Sequence, residues 1–264
     1  MNAFFTAIVA IFAILSFTHT FFPLLVPAAA GLSGMVMARS LKLNPSIEAL
    51  VLFPSLVCLA AITAFFVLIG IELEMNIIEV VKKYVSEAVD LNIGFYARLP
   101  LKPEEIKAIQ DSKDGIIDFL ARLFPAICTI SVLSVIWLNV LLIRRILGKK
   151  TVKPYVFSGL SQWKTPPWLV WVFIAAAAMI MLSHTYLRFA GINIFLVVSF
   201  LYLLQGLAIV SFFFQSKNIS MFFRVIIYFL IAVQQLLMVA IALVGLFDLW
   251  VDFRKYFRKD QATG

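Results

Sequence analysis

The sequence predicts an all-α polytopic membrane bundle of seven to eight hydrophobic segments, and three observations predict it. Apolar residues make up 63% of the 264 residues and charged residues only 14%, against roughly 45–50% and about 25% in soluble domains. Several apolar runs exceed the roughly 18 residues needed to cross a bilayer core. The remaining charges are segregated: the 22 basic residues gather near the ends of apolar runs, and ten of the 14 acids lie between Glu72 and Asp118. A net charge of +8 distributed in this way orients a chain in a lipid bilayer and meets anionic lipid, so no nucleic-acid partner is expected. No repeat, linker or low-complexity tract divides the chain, which reads as one integral domain over 1–264.

The first apolar block, Ala3 to Met37, is too long for one span. Pro23 and Pro27 interrupt it, and a break near Thr18–Phe22 gives segments 3–20 and 23–37. No Lys or Arg precedes Arg39, so the start reads as a retained span and not a signal peptide. Asn44-Pro45 reads as an N-cap followed by proline at the first helical position. It opens a third segment, 47–71, that stops at Glu72.

Residues 72–120 form the sizeable polar region. Ile77, Ile78, Val81, Tyr84, Val85, Ala88 and Val89 recur at helical spacing and predict an amphipathic helix too polar to span. The chain turns around Gly94–Pro103. A short second helix starts at Pro103, with Glu104 and Glu105 where acids suit the helix dipole.

A fourth segment covers 121–143, and 144–164 reads as a strongly basic loop. The fifth covers 167–184, with Trp163, Trp168 and Trp171 as an aromatic belt. His184 to Ile192 reads as a short loop before the sixth segment, 193–214. The last stretch, 221–247, carries Gln234-Gln235 near its middle, where a break is expected.

Loop 144–164 has six basic residues and no acid, which makes it cytoplasmic by the positive-inside rule. Counting back puts 72–120 outside the cell and the N-terminus inside. Counting forward creates a conflict. Three crossings would carry the C-terminus outside, yet Arg254, Lys255, Arg258 and Lys259 favour the inside. A broken final segment with a cytoplasmic tail is the reading adopted.

Enzyme signatures are absent: the chain has no HExxH, GxSxG, Walker loop or CxxC pair. His19 and His184 are isolated, and Cys58 and Cys128 sit in apolar runs. No catalysis, metal or cofactor is expected. Polar residues within apolar segments are the candidates for function, because hydrocarbon makes them costly. Tyr202, Gln205, Gln234 and Gln235 are such residues, able to bind a small solute or to glue helices together. His184, Tyr186, Arg188 and Asn193 converge on one outer loop, and with them they form the candidate solute site. Ala3, Ala7 and Ala10 share a helix face on which another membrane subunit could dock. Asp248 and Asp252 lie one turn apart, with Arg254 close behind, as a charged membrane-exit collar or a second docking element.

Three stretches, FPAICTISVLSVIWLN, NIFLVVSFLYLLQGLAIVSFF and GLFDLWVDFRK, resemble the YybS-like family of bacterial inner-membrane proteins, which carry domain of unknown function 2232. The resemblance covers nearly the whole chain and is strongest from Trp163 to Lys255, in the order W-K-P-W, N, L-Q-G-L and G-x-x-D-x-x-x-D-x-R. It implies distant kinship with the substrate-binding S components of energy-coupling-factor transporters and with the cell-shape protein MreD. The first kinship implies a solute-binding subunit with no ATPase of its own, coupled through small residues such as Ala3 and Ala7 to a membrane protein and two ATPases. The second implies a non-transporting scaffold that holds envelope-assembly proteins.

Overall fold

The computed structural model describes residues 22–42, 46–96, 103–151 and 160–255, and these are helical almost throughout. The helices are α1 (Phe22–Lys42), α2 (Ile47–Glu72), α3 (Ile77–Tyr96), α4 (Pro103–Asp111), α5 (Lys113–Thr151), α6 (Leu169–Ile180), α7 (Thr185–Ser216), α8 (Met221–Val233) and α9 (Gln235–Val251), with a 3₁₀ turn at Leu160–Gln162. The chain divides into two compact units, one of residues 1–43 and 48–140, the other of 44–47 and 141–264.

Three helices are long and apolar enough to cross a membrane: α2, the Lys113–Ile143 part of α5, and α7. The α8–α9 pair, bent by 103°, brings the number to at most four among the described residues. The expected count shrinks at three places, the first being segment 23–37, which falls in α1 (Phe22–Lys42) and is not among the candidate spans. Segment 3–20 lies outside the described residues. The fifth segment forms only the 12-residue helix α6, about 18 Å long at 1.5 Å per residue, short of a ~30 Å core.

In the first unit, α2 ends in a tight turn with Glu74 at φ 54°. Asn76 and Glu79 then cap α3 reciprocally: Asn76 Oδ1 accepts from the Glu79 N–H and the Asn76 N–H donates to Glu79 Oε2, both at 2.9 Å. On α3, Val80 and Val81 are buried, whereas Ile77 and Ile78 are exposed. The periodic face is inward at Val81, Tyr84, Val85 and Val89 and exposed at Ile77, Ile78 and Ala88. Phe66 of α2 meets Tyr84 of α3 and Phe124 of α5 edge-on at 6.2 and 5.0 Å. Lys82–Asp118 and Lys113–Asp90, both at 2.6 Å, tie α3 to α5. Gly31 in α1 has open space where a Cβ would stand. Gly31→Ala should therefore leave thermal stability unchanged or raise it by up to about 1 kcal/mol, the helix-propensity difference.

In the second unit, the expected basic loop is helical as far as Thr151, because RRILGKK is rich in good helix formers and has no proline, and its one glycine, Gly148, costs only about 1 kcal/mol. The expected loop His184–Ile192 is likewise replaced. A four-residue turn, 181–184, closes α6, and α7 begins at Thr185 with His184 as its N-cap residue. Leu169 of α6 with Val198 and Tyr202 of α7 form a buried cluster, joined by Phe173 and by Leu246 of α9. Gly191 brings α7 against the backbone of α6 at Ala176 and Ile180. The apolar stretch after Ser220 divides at Gln234, whose extended backbone (φ −92°, ψ 106°) separates α8 from α9.

Candidate functional site: a buried charged pair joining α7, α9 and segment 161–165

Helices α7 and α9 meet at glycines. A Cβ on Gly206 would run into the Ile241 carbonyl oxygen, and one on Gly245 into that of Tyr202, with the Gly206 nitrogen 2.9 Å away. Only hydrogen in place of a side chain lets the backbones come this near. Gln205, next to the first glycine, and Asp248, one turn beyond the second, are 2% and 1% exposed.

A carboxylate in such surroundings must be paired and hydrogen-bonded. Asp248 Oδ2 accepts from Arg254 Nη1 at 2.7 Å and from Gln205 Nε2 at 3.1 Å. Its Oδ1 accepts from the Phe253 N–H at 3.0 Å. Arg254 lies only six positions on, and reaches back because Asp252 takes a left-handed conformation (φ 47°, ψ 63°) that ends α9 and turns the chain. The guanidinium then donates from Nε to the Ser161 carbonyl at 3.1 Å and from Nη2 to the Trp163 carbonyl at 2.8 Å. The Gln205 carbonyl oxygen accepts from the Thr165 N–H at 2.9 Å and from the Thr165 hydroxyl. Among the described residues no buried side-chain nitrogen or oxygen lacks a partner. One carboxylate, one guanidinium and one amide thus fasten α7, α9 and segment 161–165 to one another.

Outside this group, Lys164 Nζ pairs with Asp252 Oδ1 at 2.8 Å, both half-exposed. A cleft of about 440 Å³ opens beside this pair, lined by Gln162, Lys164, Asp252, Arg254 and Lys255. Removing the exposed pair with Lys164→Ala should cost no more than about 1 kcal/mol in thermal unfolding, the usual range for a surface pair.

The sequence-predicted solute residues do not converge. His184 and Tyr186 stand 5.8 Å apart, ring to ring, at the start of α7 with Arg188, and all three are exposed. The Asn193 amide donates to the Phe189 carbonyl on its own helix at 2.8 Å. Tyr202 is buried edge-on to Phe173 at 5.8 Å. At 1.5 Å per residue, His184 and Gln205 are about 30 Å apart along α7. Gln234 and Gln235 are exposed at the break between α8 and α9. Ala3, Ala7 and Ala10 lie outside the described residues. Asp248 and Arg254, expected in a charged membrane-exit collar in which the arginine can pair with the aspartates, do pair, but at 1% and 3% exposure, because the turn at Asp252 folds the arginine inward.

The residues that sequence reasoning missed are Ser161, Trp163 and Thr165. Two of them contribute backbone carbonyls, which carry no residue-type signal. The available signal was the energetic demand of Asp248, an acid at the end of an apolar helix that requires a partner.

Long apolar helices joined through buried polar side chains define a multi-pass helical membrane protein. The chain belongs to the family described as predicted membrane protein (DUF2232), whose model matches residues 1–249. That match includes Gln205, Gly206, Gly245 and Asp248 and stops short of Arg254. No curated protein and no solved structure matches the chain.

Proposed function

We propose that the chain is a non-catalytic scaffold of the bacterial inner membrane, with seven to eight apolar segments, that holds partner proteins through its helix faces and its polar region 72–120. One observation carries this reading. The polar side chains deepest in the second unit, Gln205, Asp248 and Arg254, are bonded to one another and to segment 161–165, and so serve to fix helices. The alternative, a solute-binding subunit resembling an S component, calls for an enclosed outer pocket containing His184 or Arg188, and the exposure of both side chains favours it less.

Gentle affinity purification from native membranes, with mass spectrometry of proteins and small molecules, tests the proposal. Recovery of envelope-assembly proteins is expected. Recovery of an ATPase pair with a coupling membrane protein, or of a stoichiometric metabolite, would replace the scaffold with the uptake subunit.

In the same proposal loop 144–164 and the N-terminus are cytoplasmic and 72–120 is extracytoplasmic. The tail shares the side of the loop, which the bonds from Arg254 to Ser161 and Trp163 and from Asp252 to Lys164 support. Gln162→Cys and Lys255→Cys, each in a background lacking Cys58 and Cys128, should both be shielded from an impermeant thiol reagent in intact cells. Labelling of one and not the other would separate tail from loop.

A further inference from the structure

The cleft beside the buried pair has a composition that the scaffold proposal does not use. Lys164, Arg254 and Lys255 line it with Asp252 and Gln162. Two lysines and one carboxylate, Asp252, stand at the surface, and Arg254 with its partner Asp248 is buried behind them. The balance of these five groups is one positive charge. The volume, about 440 Å³, lies in the range of sites that enclose a small molecule or a headgroup.

The surroundings indicate the level in the bilayer at which the cleft opens. Trp168 and Trp171, a few residues beyond Lys164, are 61% and 71% exposed, and Trp250, just before Asp252, is 62% exposed. Exposed tryptophans of this kind settle at the headgroup level. Lys164 and Asp252 are themselves half-exposed, an arrangement that hydrocarbon would penalise and a headgroup layer accepts. A cleft with net positive charge, whose lining residues lie within a few positions of exposed tryptophans, sits where lipid phosphates are the most abundant anions.

We propose that this cleft binds the phosphodiester headgroup of an anionic membrane lipid. The phosphate oxygens accept hydrogen bonds from the Lys255 and Lys164 ammonium groups. The Asp252 carboxylate and the Gln162 amide receive the hydroxyl groups of a glycerol-type headgroup, and this favours phosphatidylglycerol over phosphatidylcholine. Arg254 keeps its bonds to Asp248, Ser161 and Trp163 and contributes field without changing partner.

The test uses the full chain purified in a neutral detergent. Native mass spectrometry and thermal unfolding are run with phosphatidylglycerol, with phosphatidylcholine and with inorganic phosphate. Phosphatidylglycerol should remain bound and raise the unfolding temperature, and phosphatidylcholine should do neither. Lys255→Ala removes none of the bonds described above and should weaken retention about fivefold, the worth of one cation near an anionic surface. Lys164→Ala should act similarly, and Lys217→Ala should leave retention unchanged. Equal protection by inorganic phosphate would reassign the cleft to a free anion. Equal loss in Lys217→Ala would reduce the effect to diffuse charge attraction. Absence of any preference for phosphatidylglycerol would overturn the proposal.

Discussion

Asp248→Ala is expected to destabilise the second unit by about 3–5 kcal/mol, the cost of leaving one member of a buried pair without the other. The Arg254 guanidinium would stay fixed by the Ser161 and Trp163 carbonyls, and its charge would lose the Asp248 carboxylate in a site that is 3% exposed. The Gln205 amide and the Phe253 N–H would each lose an acceptor as well. Unfolding of the purified protein in mixed micelles, followed by tryptophan fluorescence, reads this loss. The double variant Asp248→Ala/Arg254→Ala should be less damaged than the sum of the singles, because it removes both charges together. Additive losses would show that the two side chains contribute separately and that the pair does not act as a unit.

The second large effect is expected at the helix crossing. Gly245→Val places branched carbons where the Tyr202 carbonyl and the Gly206 nitrogen already lie, and Gly206→Val meets Ile241 in the same way. Neither obstacle is the far end of a flexible side chain. The backbones must separate, and separation pulls Gln205 away from Asp248. Loss of monodisperse protein in size-exclusion chromatography is expected for both, with a cost of at least the 1–3 kcal/mol typical of overpacking. Wild-type behaviour of either variant would mean that α7 and α9 slide freely past each other.

Much of the helical layout is legible in the sequence. Ile47–Glu72 and the start at Pro103 follow from local signals: unbroken apolar content, an acid at the end, and proline at a first helical position. The short α6 is not legible in this way, because the turn at 181–184 contains neither glycine nor proline. The polar residues of α7 could be found, since Gln205 stands out in an apolar run. Their partners could not. The bonds from Arg254 join residues 91 and 93 positions apart, and they depend on a left-handed aspartate, a conformation that few non-glycine residues adopt. Local pattern placed Arg254 at a surface, and the tertiary fold buries it.

The left-handed turn at Asp252 also bears on biosynthesis. Segment 161–165 and α7 enter the membrane well before the ribosome has delivered Asp248 and Arg254. Until then the Gln205 side-chain N–H and the Ser161 and Trp163 carbonyls must be satisfied by water, by the insertion machinery or by a chaperone. The turn supplies the guanidinium and the carboxylate within six residues of one another, so closure can follow directly on the synthesis of that short stretch. A nascent chain arrested before residue 248 would present an unfinished polar seam, a feature that membrane quality-control proteases can recognise.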